Sequence, residues 1–106
     1  MHVPDIWYLE IGNVFWKRLR RGEAGFTRGR LGELLELLAV VPVTAHRSGD
    51  LVHRSVGIAL EAGLSVYDAS YVAVAERQGA TLVTADAHLA GKAQEWSAVA
   101  VEFLPV

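Results

Sequence analysis

Residues 64–89 read Leu64-Ser-Val-Tyr-Asp68-Ala-Ser-Tyr-Val-Ala-Val-Ala-Glu-Arg-Gln-Gly79-Ala-Thr-Leu-Val-Thr84-Ala-Asp86-Ala-His-Leu89. The stretch places Asp68 near the start of a helix that stops at Gly79. It then runs Ala80-Thr-Leu-Val-Thr-Ala as a strand and puts Asp86 just past that strand. A carboxylate at a helix start and another beyond a strand's C-terminal end can converge on one pocket of a parallel α/β sheet. A third carboxylate, Glu10, sits in an apolar helix far upstream. Carboxylate oxygens are the ligands that a hard cation such as Mg²⁺ or Mn²⁺ prefers.

Outward from this stretch, helices alternate with short apolar strands. Pro4-Asp5 opens a first helix, with Asp5 as its N-cap, that runs to about Arg21 before Gly22. A second helix is predicted over about 28–39, with Leu31, Leu34, Leu35 and Leu38 at core-facing spacing. Val40-Val41-Pro42-Val43 reads as a short strand, placed at an edge or an end by its proline. A third helix covers about 48–62, with Val52, Val56 and Ala59 on one face, and stops at Gly63. A fourth covers about 66–78; a strand at about 81–84, a short helix near 87–95 and a last strand at about 99–104 follow. This alternation indicates an α/β domain with a mostly parallel sheet. Three strands is few for such a sheet, and a doubly wound domain usually opens with a strand, whereas this chain is expected to open with a helix.

A chain of 106 residues is read as one domain, 1–106. At 52% hydrophobic it can form a real core, yet its longest apolar run is far short of a membrane span. The start, Met-His-Val-Pro-Asp, shows no secretion signal. No cysteine is present, which excludes disulfides and thiolate metal sites and fits a reducing cytoplasm. The net charge of −2 argues against a generic nucleic-acid coat. The first third is nevertheless locally basic, through Lys17, Arg18, Arg20, Arg21, Arg28 and Arg30. The four histidines lack zinc-site spacing, and no P-loop, dinucleotide-binding or nucleophile-elbow pattern occurs. The three tryptophans read as core or interface residues rather than as a base-stacking platform.

Each acid has a plain structural reading beside the functional one. Glu10 has Ile6, Trp7, Asn13 and Val14 at i±3 and i±4, none of them a cation. Its carboxylate either meets an arginine of another element, points to solvent or binds a metal. Asn13, one turn on, either orients Glu10 or a water on the metal, or is an ordinary surface polar residue. Ser65-Val-Tyr-Asp68 matches a capping box, which explains Asp68 without any ligand. Asp86 could likewise cap the helix that follows it. Thr84 is a strand residue or a hydroxyl aimed at a ligand. What favours function is the occurrence of Asp68 and Asp86 in a single helix–strand–turn unit.

Three segments together resemble PIN domains of the VapC type, the toxin ribonucleases of toxin–antitoxin pairs. They are His2-Val-Pro-Asp-Ile-Trp-Tyr-Leu-Glu10-Ile-Gly-Asn13-Val-Phe-Trp-Lys-Arg18, then Leu64-Ser-Val-Tyr-Asp68-Ala-Ser-Tyr-Val-Ala-Val-Ala-Glu-Arg77, then Ala80-Thr-Leu-Val-Thr84-Ala-Asp86-Ala-His-Leu89. The resemblance implies a three-layer α/β/α fold with a short, mostly parallel sheet. It implies an acidic site holding Mg²⁺ or Mn²⁺, in which Glu10 is similar to the family's second acid, Asp68 to the third and Asp86 to the fourth, with Thr84 as the nearby hydroxyl. The family's first acid follows an N-terminal strand in a Val-Asp-Ala-Ser-like pattern, which does not occur before Glu10. On this reading that strand and its acid are missing from the sequence, whether by truncation, an internal start or fragmentation.

The resemblance further implies metal-assisted hydrolysis of RNA phosphodiesters in the cytoplasm. Lys17, Arg18, Arg20 and Arg21 would hold the RNA backbone. The implied partners are RNA, a small antitoxin whose tail enters the acidic pocket, and a second copy in a homodimer, with no membrane. A rival of a different class is a catalytically impaired PIN remnant that binds antitoxin or RNA. Phosphatase and receiver-like phosphoacceptor domains need an acid after an early strand, and rank below both.

Overall fold

The computed structural model describes residues 1–96 and 99–104. Among the described residues nine elements follow in order: β1 (His2–Pro4), α1 (Trp7–Arg20), α2 (Arg28–Val40), β2 (Thr44–His46), α3 (Ser48–Ala62), α4 (Val66–Gln78), β3 (Leu82–Thr84), α5 (Ala87–Trp96) and β4 (Val101–Phe103). They form two compact units. One is Ile6–Val43, which carries α1 and α2; the other joins His2–Asp5 to Thr44–Val106. Among the described residues no single helix is long and apolar enough to cross a membrane.

The second unit is the α/β part, and every strand pairing in it is parallel. β1 pairs with β2, His2 opposite Thr44 and Pro4 opposite His46. β3 pairs with β4, Leu82 opposite Val101 and Thr84 opposite Phe103. The α/β class with parallel pairing is as expected, but among the described residues the strands form two pairs instead of one sheet. Helix α4 packs against both β1 and β3. It is the core helix: Ala69, Val72, Ala73, Val74 and Ala75 are all buried. Small and β-branched side chains let neighbouring elements approach α4 on several sides, so no single polar stripe is needed.

The helices end where expected. Gly63 and Gly79 cap α3 and α4 with φ of 71° and 58°, the left-handed turn that costs glycine no Cβ clash. Ser65 caps α4 at its start, its hydroxyl oxygen accepting from the Asp68 N–H at 3.0 Å. On α3 the buried face is Leu51, Ser55 and Ile58. The expected Val52–Val56 face is one position off, and both valines are exposed. Only Ala59 of that face packs against the core.

Two further expectations are corrected. The chain opens with a strand, not with a helix capped by Asp5. Val3 and Pro4 are buried, and the Asp5 N–H continues the ladder by donating to the His46 carbonyl at 2.8 Å. The cap position of α1 is Ile6, with no side-chain cap. β1 does not carry the Val-Asp-Ala-Ser pattern of the family's first strand. The strand expected at Val40–Val43 instead begins at Thr44, because Val40 completes α2 and Pro42 has no N–H to give a ladder.

The first unit is a helical hairpin. The Thr27 hydroxyl caps α2, accepting from the Arg30 N–H at 3.1 Å. No residue of α1 or α2 is buried. The leucines of α2 expected to face a core are half-buried at best, and Leu35 is 44% exposed. Phe26, in the connection, is the buried anchor of this unit.

Candidate active site

In the second unit, two acids stand at the ends of elements that run out of the core. Asp68 lies in the first turn of α4 and is half-buried. Its backbone N–H completes one half of the capping box. Among the described residues its carboxylate makes no hydrogen bond or ion pair, so the cap leaves both oxygens available. A carboxylate here also suits the positive end of the helix.

Asp86 follows β3 and is exposed. Its N–H donates to Thr84 Oγ1 at 3.0 Å, and its Oδ1 accepts from the Leu89 N–H at 3.1 Å, capping α5. The cap therefore occupies one oxygen of two. Thr84 Oγ1 holds this turn as an acceptor, while its O–H proton stays available for donation.

The helices of this unit are also tied by side-chain bonds. Arg54 of α3 grips Glu76 of α4 through two bonds, Nε to Oε1 at 2.7 Å and Nη2 to Oε2 at 2.8 Å. That fork holds the Glu76 carboxyl below its ordinary value. The Arg54 guanidinium also lies 5.3 Å from the Trp96 ring, and Trp96 donates to Glu61 at 2.9 Å. These contacts link α3 to α4 and to α5.

One acid was missed as such by sequence reading. Asp5 follows the end of β1, and its Oδ1 accepts from the Ser48 hydroxyl. Beside it, His2 Nδ1 and His46 Nε2 are 3.0 Å apart. Burial first, and then nearby His2 and Arg77, lower the His46 pKa. The available signal was positional: a polar residue just past a strand of Val3-Pro4.

In the first unit, Glu10 and Asn13 lie three apart on exposed surface of α1. Lys17, Arg18 and Arg20 are in its last turn, and Arg21 is its C-cap, which suits the negative helix end. Arg18 is bound to Glu23 at 2.7 and 3.2 Å and sits 4.5 Å from the Phe26 ring centre. Arg20 lies 5.1 Å from the Trp16 ring centre. The Lys17 and Arg21 side chains have no hydrogen bond among the described residues.

Within neither unit do three or more described His, Asp or Glu side chains group to hold a metal ion. The donor chemistry still fits a hard cation, since Asp68 and Asp86 offer three carboxylate oxygens that the caps do not use. Mg²⁺ is commonly held by one or two carboxylates, with waters and substrate phosphates completing its shell.

The PIN domain family matches residues 1–95. The chain belongs to the PIN domain family. The match runs through both units. This PIN domain is 36% identical over 94 residues to Ribonuclease VapC3 of Pyrobaculum aerophilum, covering 87% of this chain and 70% of that protein. It is 38% identical over 97 residues to Exonuclease VapC9 of the same organism, covering 92% and 68%. It is 36% identical over 94 residues to Ribonuclease VapC9 of Mycobacterium tuberculosis, covering 89% and 71%.

Proposed function

We propose that this PIN domain is a metal-dependent endoribonuclease, the toxin of a toxin–antitoxin pair. The observation that carries the reading is the state of the two aspartates. Each stands at an element end, with carboxylate oxygen that its structural role leaves over. The names of the relatives supply the reaction class. We read 1–106 as one domain made of both units, acting in the cytoplasm with RNA as substrate, a small antitoxin as partner and a homodimer as its assembly.

Asp68 and Asp86 would hold Mg²⁺ or Mn²⁺, with Glu10 as the third acid that the family resemblance assigns. Such an ion supplies Lewis acidity toward a phosphate oxygen and makes a water more acidic. The side chains have their own tasks. Asp86 is fixed by its bond to Leu89, so its second oxygen has a set direction. Thr84 can donate its proton to a phosphate oxygen. Asn13 can orient Glu10, one turn away on the same face. Lys17 is better placed to hold RNA phosphates than Arg18, whose charge Glu23 offsets, than Arg21, which the same Glu23 also attracts, or than Arg20, which covers Trp16.

The test uses a circular single-stranded RNA, which only an endonuclease can open. Cutting in Mg²⁺ or Mn²⁺ that stops with chelator, and falls at least about 100-fold in Asp68→Asn or Asp86→Asn, is expected. Cleavage confined to linear RNA would make the activity that of an exonuclease. A second reading, an impaired PIN domain that binds antitoxin or RNA, has one observation in its favour: among the described residues neither unit alone groups three acids. Binding of RNA without cleavage in either metal would favour it.

A further inference from the structure

The proposed active site leaves the histidine pair of β1 and β2 unused. His2 and His46 are 44 residues apart, so no local spacing announces them. The parallel register sets His2 opposite Thr44 and Pro4 opposite His46. His2 and His46 are thus diagonal neighbours, with side chains on one face of the strand pair. Their facing nitrogens, Nδ1 of His2 and Nε2 of His46, are 3.0 Å apart, and the ring centres 5.2 Å apart. Among the described residues neither ring makes another hydrogen bond. His2 is exposed and His46 half-buried, so dissolved ions reach the pair. The backbone beneath is held in place. The Asp5 N–H donates to the His46 carbonyl at 2.8 Å, and the Asp5 carboxylate accepts from the Ser48 hydroxyl.

We infer that His2 and His46 form a binding site for a divalent transition-metal ion, Ni²⁺ or Cu²⁺, which staples β1 to β2. Neutral imidazoles are the nitrogen donors such ions take, whereas Mg²⁺ takes oxygen. An ion about 2.0–2.1 Å from both nitrogens, at their present 3.0 Å separation, sees them at an angle of about 95°. That is close to the cis angle of a square-planar or tetragonal ion; tetrahedral zinc needs the nitrogens about 3.3 Å apart. The donor ring of the pair gives its bridging proton to solvent and takes one back at its other nitrogen. Both facing nitrogens then present lone pairs, and no net proton is released. Burial, and then His2 and Arg77, lower the His46 pKa, so this ring stays neutral at neutral pH. Among the described residues no third His, Asp or Glu side chain joins the pair, so water completes the coordination. β1 precedes and β2 follows the Ile6–Val43 unit, so the ion ties the two strands through which the chain enters and leaves that unit. The site has nitrogen donors only, and it does not rest on the nuclease reading.

The experiment adds nickel or copper chloride to the full chain, free of any affinity tag. Thermal unfolding and calorimetry report binding, and electron paramagnetic resonance of the Cu²⁺ sample counts the nitrogens on the ion. Either ion should raise the unfolding midpoint, because the site exists only in the native state. The Cu²⁺ spectrum should show two imidazole nitrogens. Affinity should fall at least about tenfold in His46→Gln and in His2→Gln. Circular dichroism checks both folds, and the exposed His2 gives the variant least able to disturb the core. His53→Gln, and Asp68→Asn combined with Asp86→Asn, should each leave the affinity unchanged. No rise with either ion overturns the proposal. So does binding that survives His46→Gln, which would reduce the site to His2 alone, or a spectrum with a single nitrogen. Binding lost in the double aspartate variant while both histidines remain would move the ion to the acids and overturn it as well.

Discussion

The two units make opposite use of apolar side chains. The second hides them: Ile58, Val72, Ala69 and Ala93 are fully buried around α4. The first displays them: Leu9, Val14, Trp16, Leu35 and Leu37 are between 44% and 77% exposed. Hydrophobic composition is therefore no guide to where the core is. A helix is stabilised mainly by what its apolar face packs against. In α3, α4 and α5 that packing is intramolecular, while α1 and α2 keep surface that another molecule can cover.

The sharpest test of this contrast compares equivalent truncations. Ile58→Ala should cost about 2–5 kcal/mol by urea unfolding, since the site is sealed. A cost below about 1 kcal/mol would mean that the second unit is not the stable core. Next in size is Ser55, whose hydroxyl is buried and has no hydrogen-bond partner among the described residues. Ser55→Ala should leave stability unchanged or raise it by up to about 1 kcal/mol. A comparable loss would reveal a partner such as a buried water.

Leu37→Ala, on the hairpin, should fall within about 0.5 kcal/mol of the parent. A loss near that of Ile58→Ala would erase the distinction between the units. The smallest effect is on pH dependence. Because the native fold lowers the His46 pKa from its ordinary 6.5, the unfolded chain takes up this proton at higher pH than the native chain does. The stability contributed by neutral His46 is then present above pH 6.5 and declines as pH falls below it. His46→Gln should flatten that part of the profile, followed as the unfolding midpoint between about pH 7.5 and 5.5. An unchanged slope would remove His46 as its source.

Local chemistry was legible. α3 and α4 have the bounds predicted from their stop glycines and from the Ser65 cap, because these signals act within a few residues of the helix end. The α/β class followed from the alternation of elements. Of the candidate site, the sequence located Asp68 at a helix start and Asp86 past a strand, and it foresaw the cap that each position invites.

What the sequence determined by itself was periodicity, helix ends, family and the identity of the acids, all properties of neighbours along the chain. Tertiary structure decided the rest. It made Val3-Pro4 a strand by burying it beside Ala45 and His46, more than forty residues away. It chose Leu51, Ser55 and Ile58 as the inner face of α3 over the equally periodic Val52 and Val56. It divided the strands into two parallel pairs, and it settled how much of each carboxylate its cap consumes. These outcomes depend on which surfaces meet in space, and a repeat of 3.6 residues says only that a helix has a face, not what that face will touch.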